Sequence, residues 1–226
     1  MGTNKDYLEW DVNNWSNALI YWQLEIKEEL LEKNCLELGG RKGGLSLWLA
    51  EKGANVVCSD IDNPANEAKP FHDKMNPLGK ITYQAIDATN IPYNEEFDII
   101  VFKSIIGGIA RNGKDDLKNK VFSEIYKALK PGGKLLFAEN LESSNLHKYL
   151  RKKFIRWGNE WNYFKYSELK DIFTPFKTLK FETKGFVGAF GRTEKQRNIL
   201  SNIDKLVFDK IISEKKRYII YGVAIK

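Results

Sequence analysis

Apolar positions along this chain recur in two periods, one helical and one strand-like, and the two alternate from the N-terminus onward. Trp15, Ala18, Leu19, Trp22, Ile26 and Leu30 fall on one helical face, which predicts an amphipathic helix over 12–33. Residues 35–38 form a short, mostly apolar run, Leu45, Trp48 and Leu49 make a second helical face, Gly53 stops it, and 56–58 gives another strand. Leu117, Val121, Ile125 and Leu129 mark a buried helical stripe halted by Pro131-Gly132-Gly133. Leu146, Tyr149, Leu150, Phe154 and Trp157 lie at helical spacing, with His147 and Arg151 on a different face of that helix. Residues 178–184 alternate as a strand, a helix is expected over 194–212, and 217–226 reads as the last strand.

The turn between the first two strands carries the chemistry. It reads Gly39-Gly40-Arg41-Lys42-Gly43-Gly44, preceded by Glu37 and followed, at the end of the next strand, by Asp60. Glycines there permit positive φ and close backbone approach, and the helix that follows offers free N–H groups. Asp60 stands where a carboxylate accepts the hydroxyls of an adenosine ribose. A nicotinamide or flavin site favours G-x-G-x-x-G and a pyrophosphate on the helix N-terminus. Glu37 would repel a pyrophosphate and attract the ammonium of an amino acid moiety, which favours S-adenosylmethionine.

These residues resemble the class I, Rossmann-like, S-adenosylmethionine-dependent methyltransferases. The family's acidic-x-Gly-x-Gly-x-Gly motif falls on Glu37, Gly39 and Gly43, with Arg41 in place of the middle glycine and Gly40 beside it. Asp60 matches the ribose acid, with Ile61 next to it, and Asp87-Ala88 in AIDATNIP matches the segment that caps adenine. Residues 97–102, FDIIVF, look like the fourth strand, and 128–139, ALKPGGKLLFAE, like the helix end, turn and fifth strand. The resemblance covers 34–140. It implies an α/β fold: a doubly wound sheet, mostly parallel with an antiparallel last strand, and helices on both faces. It further implies one domain over 1–226, in which 1–33 is a helical lid, 34–140 the cofactor core, and 141–226 a substrate-side helix and closing strands. S-adenosylmethionine is the implied cofactor and S-adenosylhomocysteine the product. The wider pattern, including GGRKGG, FKSIIGGI and GAFGRTEKQRN, is also similar to methyltransferases of bacterial surface-polysaccharide biosynthesis, which implies a nucleotide-linked sugar or glycan acceptor.

Composition narrows the setting more than the activity. The chain of 226 residues is 42% hydrophobic and 29% charged, an ordinary globular balance. No apolar run approaches the roughly 20 residues of a bilayer span, and the N-terminus lacks a secretion signal, so a cytoplasmic location is expected. Cys35 and Cys58 each sit in an expected core strand and read as reduced fillers. The excess of 36 basic over 30 acidic residues admits anionic partners, nucleic acid among them, without selecting one.

Acceptor chemistry is expected at the carboxyl ends of the strands, where open α/β sheets bind ligands. His147 is the candidate general base, because neutral imidazole accepts a proton near pH 7. Lys103, directly after FDIIVF, needs water, an anion or a carboxylate; it is read as catalytic, cofactor-side or anion-binding, or as paired with Glu139. Glu139 either orients a hydroxyl or accepts backbone N–H groups. Trp10, Trp15, Arg151 and Arg192 are the candidate substrate contacts, with Trp157 and Trp161 as further cover. No metal site is expected, and His72 lies in what reads as an irregular stretch. The leading expectation is O-methylation of a small anionic or sugar-like acceptor. The alternatives are an RNA or protein methyltransferase that uses the basic helix near His147, and an inactive binding protein.

Overall fold

The strands are β1 (Asn34–Leu38), β2 (Asn55–Asp60), β3 (Ile81–Ala85), β4 (Phe97–Lys103), β5 (Leu129–Asn140), β6 (Thr178–Lys184) and β7 (Ile219–Ile225). In this computed structural model, which describes residues 1–26, 30–155 and 160–226, they join one sheet in the order β3-β2-β1-β4-β5-β7-β6. The first five pair in parallel, and β7 lies antiparallel between β5 and β6. This is the doubly wound arrangement the sequence implied.

Period-two alternation fixes which face each strand residue serves. Along β4, Ile99 and Val101 enter one core cluster while Ile100 and Phe102 enter the other. Both faces are covered, which is why the central strands are apolar without interruption. Helices α1 (Asn4–Leu8), α2 (Val12–Ile26) and α3 (Gly44–Ala50) cover the first face. Trp15, Ala18, Leu19 and Trp22 of α2 are buried there, and the Trp22 indole N–H donates to the Gly222 carbonyl at 3.0 Å. Each such large side chain contributes about 1.5–3 kcal/mol on burial, enough for the set to dock the helix. Helix α4 (Ala65–Met75) follows β2 and α5 (Ile106–Ile109) follows β4. Helices α6 (Asp115–Ala128) and α8 (Leu169–Ile172) close the second face through Val121, Phe122, Ile125, Leu169 and Ile172. Helix α7 (Asn145–Phe154) follows β5, and α9 (Glu194–Ile203) and α10 (Asp209–Ile211) precede β7.

Four local expectations change. The helix expected over 12–33 is described only to Ile26, and Lys33 N–H closes a turn on the Leu30 carbonyl at 3.1 Å, with Glu32 at φ 61°. The helix expected over 194–212 widens into a π turn at Asp204–Phe208, where the Asp204 carboxylate turns inward to accept the Val187 and Gly188 N–H groups, each at 2.8 Å. The stretch around His72 is not irregular: it is α4, with His72 buried. Finally, α7 is inverted relative to its pattern. Leu146, Tyr149 and Phe154 face solvent, and His147 faces inward.

Candidate active site

Strand order reverses between β1 and β4, and the crevice outside their carboxyl ends is a cleft of about 1140 Å³. Its floor is the turn after β1 and the tips of β2, β4 and β5. Residues 7–11, from the end of α1 to the start of α2, form one side, and residues of α7, the Val187–Phe190 turn and α9 form the other.

One end of the cleft is acidic and built on the glycine turn. Gly39 and Gly43 take φ of 66° and 72°, and Arg41 takes 48°. The arginine therefore adopts the left-handed conformation that the usual glycine would supply, with its side chain directed outward to Glu9 at 3.8 Å. Gly43 sits behind the lining. A side chain there would meet both the positive φ and His72, since a Cβ on Gly43 would fall 2.4 Å from the imidazole ring. His72 instead braces the turn: Nε2 pairs with the Gly43 carbonyl and Nδ1 with the Tyr83 hydroxyl, each at 2.9 Å. Glu37, Gly39, Gly40, Asp60, Ile61, Asp87 and Ala88, all expected at the cofactor, line the cleft. Asp60 accepts the Arg41 N–H at 3.0 Å and the Ile61 N–H at 2.7 Å, which aims its carboxylate along the turn. Asp87 accepts the Thr89 N–H and hydroxyl, both at 2.8 Å.

Glu37 lines the cleft and also has a structural task. Its carboxylate accepts the Ser46 N–H at 2.8 Å, the Ser46 hydroxyl at 2.5 Å and the Leu45 N–H at 3.2 Å. It caps the start of α3, satisfying helix donors that would otherwise be orphaned. Burial pushes its carboxyl up to about 7 against those donors. An ammonium of the cofactor would meet a carboxylate already engaged.

Beyond the glycine turn the cleft is lined by cations, of which Lys103 follows Phe102, the register partner of Leu38, and so stands beside the turn. Lys103 ends β4 with its ammonium 4.1 Å from the Trp10 ring centre and 5.3 Å from that of Trp15, and among the described residues no carboxylate pairs with it. Burial pulls it down to about 8, and Glu9, Asp11 and Glu139 oppose that shift. The Arg151 guanidinium donates to the carbonyls of Leu141 at 2.8 Å and Glu142 at 3.1 Å and stacks on Tyr163 at 4.0 Å. Arg197 reaches in from α9, paired with Glu194 at 3.0 Å. Trp161 closes the wall over Gly107 and Gly108, and a side chain at Gly107 would strike its indole. Asp11 lines the same region. Its carboxylate accepts the Tyr218 hydroxyl at 2.8 Å and the Asn14 amide at 2.9 Å, and burial pushes it up to about 6.

Several expected site residues lie elsewhere. His147 is fully buried and off the cleft: Nε2 pairs with the Phe186 carbonyl and Nδ1 with Ser144 Oγ, each at 2.8 Å, between the rings of Phe186 and Phe190. Burial pulls its pKa down to about 4, so the ring is neutral and fully occupied, with no lone pair for a substrate proton. Glu139 accepts the Ile106 N–H at 2.8 Å and the Asn140 N–H at 2.7 Å and does not line the cleft. Its alternative reading, an acceptor of backbone donors, describes its position. Trp15 is buried in the core behind Trp10, and Arg192 is exposed over the Phe154 ring. Trp157 lies outside the described residues. Sequence reasoning missed Asp11, Tyr163, Arg197 and Tyr218 as lining residues. Only Arg197 carried a signal, as the cation five residues beyond Arg192 in GAFGRTEKQRN.

Among the described residues no cluster of histidine, cysteine and acidic side chains fits a metal ion, and no helix is long and apolar enough to cross a membrane. Both cysteines are free and buried.

Residues 36–137 match the family model of the methyltransferase domain. The chain is 27% identical over 196 residues to phosphoethanolamine N-methyltransferase of Plasmodium falciparum, covering 80% of this chain and 66% of the relative. It is 28% identical over 166 residues to demethylmenaquinone methyltransferase of Leptospira interrogans, covering 68% of this chain and 61% of the relative. Phosphoethanolamine N-methyltransferase 2 of Haemonchus contortus, solved with phosphomonomethylethanolamine and S-adenosylhomocysteine, superposes with a TM-score of 0.64 at 18% identity, covering 99% of this chain and 56% of that one. The chain thus spans about two thirds or less of these relatives. The likeness to surface-polysaccharide enzymes finds no support in them.

Proposed function

We propose that this chain, whose core is a class I S-adenosylmethionine-dependent methyltransferase domain, transfers the methyl group to a small acceptor that carries a phosphate or carboxylate. The observation that carries this reading is a pair of buried cations on the cleft: Lys103, which among the described residues has carboxylates near it but none in ion-pair contact, and Arg151, whose guanidinium meets only carbonyls and a ring. Buried cations of that kind are costly until an anion joins them. The acidic end, with Asp60 at the tip of β2, suits the nucleoside of the donor. The methyl sulfonium supplies the reactive group. The protein's part is to hold a nucleophile in line with it and exclude water, and alignment alone can lower a barrier by about 7–11 kcal/mol. Residues 7–11 act as part of the cover, with the Arg41–Glu9 pair as its contact with the turn.

An amine nucleophile fits better than a hydroxyl. A hydroxyl needs a strong proton acceptor, and the two residues expected to serve, His147 and Glu139, lie off the cleft. An amine yields its proton more readily, and Asp11, at about 6, stands on the cleft wall to receive it. The relatives that act on phosphoethanolamine, an amine joined to a phosphate, support the same choice. O-methylation of a sugar-like acceptor is the second reading, supported by the aromatic wall of Trp10 and Trp161. A screen with radiolabelled methyl donor against amino phosphates, sugar phosphates, nucleotide sugars and demethylmenaquinone tests both. Label should enter an anionic amine. Label confined to the quinone, or to nothing while the donor binds, would overturn the proposal.

A further inference from the structure

The inversion of α7 leaves a surface that the methyl-transfer reading does not use. Tyr149 and Phe154 are 59% and 52% exposed on α7, and Leu206, Val207 and Ile211 are 70%, 46% and 69% exposed beyond α9. Large apolar side chains left exposed on adjoining segments suit an interaction surface. The two segments are neighbours. Both pack on the Val187–Phe190 turn and the residue before it, through His147 against Phe186 and Phe190 and through Phe186 against Phe208. Arg192 lies over Phe154, and the Ser143 hydroxyl donates to the Lys216 carbonyl at 2.5 Å.

Charge on this surface is predominantly basic, with Lys148 paired to Glu142 at 2.8 Å and Arg197 to Glu194 at 3.0 Å. Lys148, Lys152, Lys153, Arg192, Lys195 and Lys210 are exposed across residues 143–155 and 192–216, and Glu214 is the one exposed acid among the described residues there. Lys153 lies near the rings of both Tyr149 and Phe154. The chain's formal charge of +6 is thus gathered here rather than spread evenly. Basic side chains interleaved with exposed aromatic and aliphatic ones are the composition of a helix that lies in a bilayer interface. Nucleic acid would use the cations and the two rings, but it offers nothing to Leu206, Val207 and Ile211.

We propose that this face docks the protein on an anionic lipid bilayer, with α7 and the segment from Leu206 to Ile211 seated at the interface. The same elements border the cleft, since Arg151 and Ile155 line it from the α7 side and Arg197 from α9. Docking therefore turns the acceptor end of the cleft toward the membrane surface. The proposal rests on the surface alone and stands whether or not the acceptor is an anionic amine.

Co-sedimentation of the full chain with vesicles tests it, using phosphatidylcholine alone and phosphatidylcholine with one third phosphatidylglycerol. Binding is expected to the anionic vesicles only. The Lys152→Glu/Lys153→Glu variant should weaken it at least about tenfold, since each interfacial cation is worth about fivefold in partitioning. Tyr149→Ser/Leu206→Ser should weaken it too while leaving the salt dependence in place, and unchanged donor binding shows that the variants are folded. No binding to anionic vesicles, equal binding to neutral ones, tight binding to RNA without vesicle binding, or a concentration-dependent dimer that hides the face would each overturn it.

Discussion

The two ends of the cleft are built by different means. The proposed donor end comes mainly from one contiguous unit, β1, the glycine turn, α3 and β2, within 27 residues from Asn34 to Asp60, joined by Ile61 and by Asp87 and Ala88 beyond β3. The acceptor end is assembled from Asp11, Lys103, Arg151, Tyr163, Arg197 and Tyr218, which belong to separate segments spread over most of the chain. A site made by local backbone geometry is set by a few residue types at fixed spacing. One made by distant side chains depends on how helices outside the sheet pack, and spacing carries little of that.

The comparison breaks most sharply at Asp60. Asp60→Ala removes the carboxylate proposed to hold the ribose, and charge-assisted bonds of this kind are worth about 1.5–3 kcal/mol each. Calorimetry should show donor affinity falling by about 100-fold or more; affinity within twofold of the parent would remove Asp60 from the donor end. The complementary change is Lys103→Met, which keeps the packing against Trp10 and removes the charge. It should lower kcat/KM for an anionic acceptor by about 100-fold, the scale of one buried ionic contact, and leave donor affinity within about threefold. If both quantities fell together, the two ends would not be separable.

How much of each end was legible follows from the same contrast. That Asp60, Ile61, Asp87, Ala88, Gly39 and Gly40 line the cleft was readable because turn chemistry and strand ends are written locally. Arg41 was the one discordant residue there, and it proves to adopt the backbone conformation that a glycine would. His147 misled because an imidazole near a strand end is a general base only if a ring nitrogen is free, and burial between Ser144 and Phe186 is a tertiary fact. The apolar stripe of α7 misled for a related reason: that helix turns inward His147, which packs on Phe186 and Phe190, and Arg151, which bonds the Leu141 and Glu142 carbonyls, so the stripe was left outside. His72 was misplaced because a proline, Pro70, sits inside its helix.

Smaller effects sharpen the picture. Gly43→Ala places a side chain at φ 72° and against the His72 ring, so it should loosen the turn and weaken donor binding by about tenfold, with a lowered melting temperature. Donor affinity equal to the parent's would show that the turn does not need that conformation. His147→Gln should leave turnover within about twofold, in contrast to a residue that moves a proton. Its mark is on stability instead. Burial holds the folded-state pKa near 4, below the unfolded value of 6.5, so the unfolded chain gains a proton first as pH falls. Stability from this site is full above about 6.5, declines as pH drops toward 4, and then levels off; the variant should lose that slope, an effect on the order of 1 kcal/mol or more. Denaturant melts of both proteins at pH 7 and pH 5 measure it, and parallel slopes would count against the buried neutral ring.

The central claim is that one cleft holds a sulfonium nucleoside at an acidic end and an anionic acceptor at a cationic one. It is tested most directly by comparing methyl transfer to phosphoethanolamine and to ethanolamine, which differ only in the anion, at saturating S-adenosylmethionine. The account predicts a kcat/KM for the phosphorylated acceptor about 100-fold higher or more, with the preference lost in Lys103→Met. Equal use of the two amines, or a preference untouched by that substitution, would contradict it.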